Sequence, residues 1–407
     1  MKQKFSDVNC SINSAAIIRQ RYCFWVILSV LMLSNFWCGR CAPWQWGYAS
    51  YLLSWKEGFL PRSFLGTIFS TLLRDTYYSK AVLDTIMFFV EFLFAAYLVF
   101  VIFKLCVNKW NTAGSILLLI FSTSTFPMFY FQIIGYLDHY GFLLIALNIE
   151  ICLRKKFYTC VFVSSVSCLI AVLILETNAF IVCPAIFSVL LIRLCLEKGF
   201  TRSFWVSALK CIGLHSPTFL YIIMVPFFRA SNEQVEKLRT VILEKATDVP
   251  LLLDCGLDYS LSFFSGTSRL TSADKLPYVP VEIIIYTFVP VCLLSIFLTE
   301  TTLEKGTKRL TISLMLLCSL ASYAANFIAT DYNRFFAFMF MAPMMVSIYI
   351  YRAINIKEEV KLSKGSTIFM VALSVVVLLK CAGYRLWTWN RIYHQPWWVE
   401  LIETFLT

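Results

Sequence analysis

Long apolar runs recur along almost the whole chain, separated by short polar or basic breaks. They fall at 23–39, 82–105, 113–133, 136–153, 158–175, 178–196, 204–228, 281–298, 310–329, 335–351 and 367–387. Most reach the roughly 17–25 residues that a spanning helix needs. They do not alternate apolar and polar residues as strands do. Backbone polar groups in lipid must be satisfied within the segment, so such runs predict helices. The pattern therefore predicts an all-α fold, a polytopic transmembrane bundle of about eleven helices. It forms a single integral membrane domain over residues 1–407. Asp138 and His139 make the fourth run the most polar of the set.

The breaks differ in charge. One set carries Lys109, Arg154-Lys155-Lys156, Lys198 and Arg202, Lys305, Lys308 and Arg309, then Arg352, Lys357, Lys361 and Lys364. The short breaks of the opposite set carry only Arg334. Cytoplasmic loops are the ones enriched in Lys and Arg. The asymmetry predicts a cytoplasmic N-terminus and a periplasmic C-terminus. Two longer segments then face outward, at about 40–81 and 229–280, with a Trp-rich outer tail at about 388–407. Within the first, Phe64–Leu73 is apolar but too short to span, and fits a helix lying in the interface or docked on the bundle.

Composition narrows the classes. Of 407 residues, 59% are apolar and 14% charged, against about 25% charged in soluble domains. The net charge of +11 sits in clusters between apolar runs, so nucleic acid is not an expected partner and membrane lipid is. Most of the 15 cysteines lie inside apolar runs, where they act as small hydrophobes. Cys38 and Cys41 form a CxxC, but no second CxxC or His cluster completes a zinc site. Lys2, Lys4, Arg19 and Arg21 precede the first run, which lacks a small-residue cleavage site and reads as a signal anchor.

Polar groups at membrane depth or helix tips are costly and mark candidate sites. Here they gather on the predicted outer side. The first outer segment holds Glu57 and Arg62, the third–fourth junction Asp138 and His139, and the ninth–tenth junction Asp331 and Arg334. Glu176 lies at the fifth–sixth junction, where it reads as a helix-junction cap. A carboxylate can accept a proton from an acceptor hydroxyl, and an arginine can hold a phosphate and stabilise its leaving charge. Each has a plainer reading: Arg62 as a headgroup anchor, Asp138-His139 as a satisfied buried pair, Asp331-Arg334 as a hairpin ion pair. No Walker, GxGxxG, HExxH or GxSxG pattern occurs.

The stretch Glu57-Gly58-Phe59-Leu60-Pro61-Arg62-Ser63-Phe64-Leu65-Gly66 resembles an acid-Gly-Phe-x-x-Arg-x-x-x-Gly pattern. That pattern occurs in the first outer loop of bacterial membrane proteins linked to surface polysaccharide. Some of these resemble GT-C membrane glycosyltransferases. Asp331 to Arg334 is similar to an Asp-x-x-Arg between their late helices. Chain length and helix count look like those of O-antigen glucosyltransferases and O-antigen polymerases. The resemblance implies inverting transfer from a polyprenyl-phosphate sugar donor to an oligosaccharide or polysaccharide acceptor, at the periplasmic face of the bacterial inner membrane. Glu57 would be the base. Arg62 and Arg334 would hold the donor phosphate, and Asp138, His139 and Asp331 would contact substrate. A divalent metal is compatible with such a site without being required by it. Glu57 lacks the acidic neighbour that many GT-C enzymes carry. Two rivals share the architecture: a repeat-unit polymerase, and a transporter or flippase without catalysis.

Overall fold

The computed structural model describes residues 21–37, 43, 45–59, 62–104, 112–227, 231–246, 248–249, 288–325, 332–355 and 362–381. Among these the chain is all-helical, without strands. The helices are α1 (Arg21–Trp37), α2 (Gln45–Leu52), α3 (Phe64–Leu73), α4 (Lys80–Ile102), α5 (Thr112–Thr123) and α6 (Thr125–Gln132). They continue as α7 (Asp138–Arg154), α8 (Phe157–Ile174), α9 (Asn178–Lys198), α10 (Arg202–Leu214), α11 (Ser216–Met224) and α12 (Asn232–Lys245). The last are α13 (Val289–Thr299), α14 (Lys305–Ala324), α15 (Tyr332–Asn355) and α16 (Lys364–Cys381).

Four stretches are long and apolar enough to cross a membrane: α4, α8, α9 and Ala337–Ile354 of α15. The bent pair α10–α11 adds a fifth if it is one span. These make the chain a membrane protein. The other expected spans coincide with helices that are shorter, such as α1, or more polar, such as α14 with Lys305, Lys308 and Arg309 in its first turns. The expected span 281–298 is described only from residue 288 onward.

Two expected single spans are broken, each for a local reason. Run 113–133 divides at Ser124, whose ψ of 165° leaves the helical region. Its hydroxyl donates to the Phe121 carbonyl at 2.7 Å, and Pro127 follows in the first turn of α6. Both features end one helix and start another. Run 204–228 bends by 43° at His215. Pro217 removes an amide there. The Ser165 hydroxyl donates to the Leu214 carbonyl at 2.5 Å, and His215 Nδ1 lies 2.7 Å from the Cys211 carbonyl.

The core centres on α9 and α15. α9 packs on α7, α8, α14 and α15. In the apolar stretch of α15, 89% of residues are buried, against 28% in α4. A helix apolar all round and buried all round is central, while α4 turns Phe88, Phe89 and Phe92 outward. Lipid tails are as apolar as leucine, so helices associate through close packing and interhelical hydrogen bonds. α14 supplies both. Its buried Thr307, Thr311, Cys318, Ser319 and Ser322 are small, and Ser319 donates to the Met339 carbonyl of α15 at 2.7 Å.

The bundle has two unlike ends. Lys104, Arg154, Lys198, Lys305 and Arg352 mark a basic end, tied by Glu150 to Arg352 and by Cys195 Sγ to Thr307 Oγ1 at 3.4 Å. The opposite end carries α2, α3 and α12. There the helix expected at Phe64–Leu73 appears as α3, docked against α2 and α8. α12 begins with a Ser231–Gln234 capping box, and its Leu238 and Ile242 join the cluster made by α2, α3 and the starts of α4 and α7.

Candidate functional site

The segment that carries Ser54 and Arg62 folds onto this end through its own backbone. Ser54 caps a short 3-10 turn over Trp55–Glu57, accepting from the Lys56 amide at 3.3 Å. The Trp55 amide donates to Thr67 Oγ1 at 2.8 Å, which ties that turn to α3. Gly66 makes the closest approach. A Cβ there would stand 1.9 Å from the Leu53 carbonyl oxygen and 2.4 Å from that of Tyr51. Only a residue without a side chain lets α3 lie on this strip of backbone.

Arg62 precedes α3 with φ of +62°, a left-handed conformation rare for a residue with a Cβ. Such geometry costs about 1 kcal/mol or more and persists only where surroundings impose it. Here it sends the side chain inward. Arg62 Nε donates to Glu176 Oε2 at 2.8 Å, and the two side chains are 7% and 10% exposed. Glu176 sits at the junction of α8 and α9, 114 residues away in sequence. In the sequence Glu176 stands among the polar helix tips and reads as a junction cap. The structure makes it the partner of the arginine.

The junction itself is tight and polar. The amides of Asn178, Ala179 and Phe180 donate to the carbonyls of Leu175, Glu176 and Thr177, at 3.0, 3.0 and 2.9 Å. Asn178 Nδ2 donates to the Ala171 carbonyl at 2.9 Å, closing the end of α8. Glu176 Oε1, Thr177 Oγ1 and Asn178 Oδ1 are buried with no partner among the described residues. Gly141 of α7 abuts them: a Cβ there would lie 3.1 Å from Asn178 Oδ1. Tyr221 of α11 stands within electrostatic reach of both Glu176 and Arg62. Its ring meets Phe59 with centroids 6.4 Å apart, and Phe59 stacks on Trp55 at 4.9 Å. Tyr221 carried no motif in the sequence; only folding reveals it.

Asp138 and His139 open α7 and are both buried. His139 does not face Asp138. Its Nδ1 lies 3.2 Å from the Tyr136 carbonyl and its Nε2 3.3 Å from that of Tyr130. The Tyr130 ring meets it edge-on at 4.5 Å. The histidine thus ties the turn before α7 to α6. Asp138 is one helical turn before Gly141, on the face that meets α9. Arg62, Glu176, Asn178 and Asp138 therefore share one end of the bundle.

Glu57 closes the 3-10 turn, where the Gly58 amide donates to the Trp55 carbonyl at 3.2 Å and Gly58 adopts φ of +129°. The side chains of Glu57 and Arg334 lie outside the described part, as does the whole of Asp331. Cys38, Cys41 and the tail 388–407 also lie outside the described residues. Asp84 and Glu91, which share a face of α4, have separate partners. Asp84 accepts from the Tyr48 hydroxyl and from Lys80 Nζ, while the Glu91 carbonyl accepts from the Tyr130 hydroxyl at 2.7 Å. Among the described residues no group of three or more His, Cys, Asp and Glu could hold a metal ion.

The arrangement is a guanidinium clamped by a carboxylate beneath a folded loop, with further oxygen acceptors beside it. It can orient an anionic group and a hydroxyl-bearing group side by side. Compared with known protein families, curated proteins and solved structures, the chain matches none of them.

Proposed function

We propose that the protein is a membrane glycosyltransferase that moves a sugar from a polyprenyl-phosphate donor to a surface polysaccharide. The reading includes about eleven crossings, a cytoplasmic N-terminus and a periplasmic site in the bacterial inner membrane. The excess of Lys and Arg in one set of short breaks supports that orientation.

One observation carries the reading. A segment with the composition of a surface loop instead folds inward and buries Arg62 against the α8–α9 junction. A buried, oriented arginine at the headgroup level of a bundle suits a lipid phosphate, whose tail lies between helices. In the proposed step Glu57 takes the proton from an acceptor hydroxyl. The freed oxygen attacks the anomeric carbon. The carbon–oxygen bond to phosphate breaks, and its electron pair leaves with the polyprenyl phosphate, whose charge Arg62 stabilises. Glu176 is then a positioning residue that holds the guanidinium in place.

A second reading, a repeat-unit polymerase, draws on α12. Its Leu238 and Ile242 join the apolar cluster that includes residues of α2 and α3, so two outer segments meet at one end. A polymerase has to hold two large saccharide substrates, and two joined loops suit that task.

The experiment is to delete the gene and restore it as wild type or as Glu57→Gln, reading polysaccharide composition and chain length. Loss of one sugar from full-length chains, restored by wild type and not by Glu57→Gln, is the expected result. A single repeat unit left on the lipid core would mean the polymerase. Unchanged polysaccharide would end both readings and leave transport.

A further inference from the structure

The basic end of the bundle holds an arrangement that the proposed chemistry does not use. Phe100 lies near the end of α4, and three cations from three helix ends approach its ring. Arg352 lies 5.6 Å from the centroid, Lys104 5.6 Å and Arg154 5.9 Å. Glu150 is the carboxylate that pairs with both arginines. Its Oε2 accepts from Arg352 Nη2 at 3.1 Å and from Arg154 Nη2 at 2.7 Å, and its Oε1 accepts from Arg352 Nη1.

Among the described residues, three cations around one ring, matched by one carboxylate, leave two positive charges. Like charges this close repel. The ring face returns about 0.5–1 kcal/mol per cation at exposed sites, too little to explain why three are gathered. Arg352 is largely buried and Glu150 satisfies it. Lys104 and Arg154 are exposed, so the surplus charge faces outward. The cations come from just past the end of α4 and from α7 and α15, and α4 has the least buried of the four spanning stretches. The arrangement is a cationic notch at the lipid boundary, with an aromatic floor.

We propose that this notch binds the phosphate of an anionic membrane lipid, with Lys104 and Arg154 as its ligands and Arg352–Glu150 as its fixed wall. Basic pockets between helix ends at the membrane surface recognise anionic headgroups in this way. The acyl chains lie along the exposed phenylalanines of α4. Bound lipid fastens α4 to α7 and α15 by replacing the repulsion between cations with attraction to a shared anion. The site is independent of the glycosyltransferase reading and stands at the opposite end of the bundle.

The test uses the full chain in phosphatidylcholine nanodiscs, titrated with phosphatidylglycerol, with thermal unfolding and lipid retention as readouts. The variant is Lys104→Gln with Arg154→Gln, which leaves Arg352–Glu150 in place. A control variant, Lys155→Gln with Lys156→Gln, removes the same charge from the adjoining loop. The expected result is saturable stabilisation of the wild type, with affinity falling about 30-fold in the first variant, as expected for losing two cation–phosphate attractions. The control should change by less than about 3-fold, within ordinary surface effects. Both variants should still unfold in one cooperative transition in pure phosphatidylcholine, which shows that they fold. An equal fall in the two variants would overturn the notch in favour of diffuse surface charge. Equal stabilisation by inorganic phosphate would overturn the lipid assignment, because the acyl chains would then contribute nothing.

Discussion

Replacing Glu176 with Gln keeps its shape and removes its charge, which leaves the Arg62 guanidinium buried without its carboxylate. The contact is 2.8 Å, with both side chains at least nine-tenths buried. At an effective dielectric of about 20, unit charges 4 Å apart attract by about 4 kcal/mol. Breaking a buried pair from one side costs about 3–5 kcal/mol. An exposed pair would contribute about 0–1 kcal/mol. The junction lies near a bundle end, so water lowers the expected cost toward about 3 kcal/mol. Arg62→Met should cost a similar amount, since Glu176 would then be buried alone. The double variant removes both charges, and its cost should be well below the sum. Burial of polar residues without charge is far cheaper than burial of a lone ion.

SDS-driven unfolding in mixed micelles measures all four proteins on one scale. The expected coupling between the two sites is at least about 2 kcal/mol. If each single variant unfolds within about 0.5 kcal/mol of the wild type, or if the two costs add, the pair does not hold the loop. The clamp would then be discarded, and with it the positioning role given to Glu176.

Other outcomes follow from the same contacts. Gly66→Ala should loosen α3, because its Cβ would collide with the Leu53 carbonyl; overpacking of this kind costs about 1–3 kcal/mol and should raise proteolysis between residues 54 and 63. Ser319→Ala removes one hydrogen bond between α14 and α15 and should cost only about 0.6 kcal/mol, the average for interhelical bonds in lipid, in the same SDS assay. Glu300, in the α13–α14 connection, has its carboxyl held below the usual 4.5 by hydrogen bonds from Ser366 and Ser363. Its folded value is the depressed one, so its contribution is present above pH 4.5 and fades as pH falls through the folded value. Ser366→Ala should therefore weaken the acid dependence of unfolding below pH 4.5, and an unchanged pH profile would refute the assignment.

Much of the helix pattern was legible because lipid imposes one rule: a long apolar run must satisfy its own backbone. Thus α4, α8 and α9 lie close to their expected bounds. Breaks were harder to read. Ser124 and Pro127 stand inside an apolar run, and hydropathy averaged over a span does not register one hydroxyl or one missing amide. The same averaging hid the bend at His215. The helix Phe64–Leu73 was legible because it is apolar yet too short to cross.

The site shows why tips resist sequence reading even when their residues are singled out. Polar residues at these helix junctions were identifiable one at a time, since each is costly near lipid. Which of them meet was not. Arg62 could have met lipid, phosphate or any of several acids, and the choice of Glu176 depends on two facts that no local pattern carries. One is that Gly66 lets α3 lie flat on the backbone of residues 51–53. The other is that Arg62 accepts a left-handed φ. Together they turn a loop that reads as exposed into one that points a guanidinium inward. His139 shows the converse. Its neighbour Asp138 suggested a pair, but consecutive residues on a helix diverge by about 100°, and the imidazole bridges carbonyls instead. Adjacency in sequence at a helix start is thus weaker evidence of contact than a glycine placed to let two backbones touch.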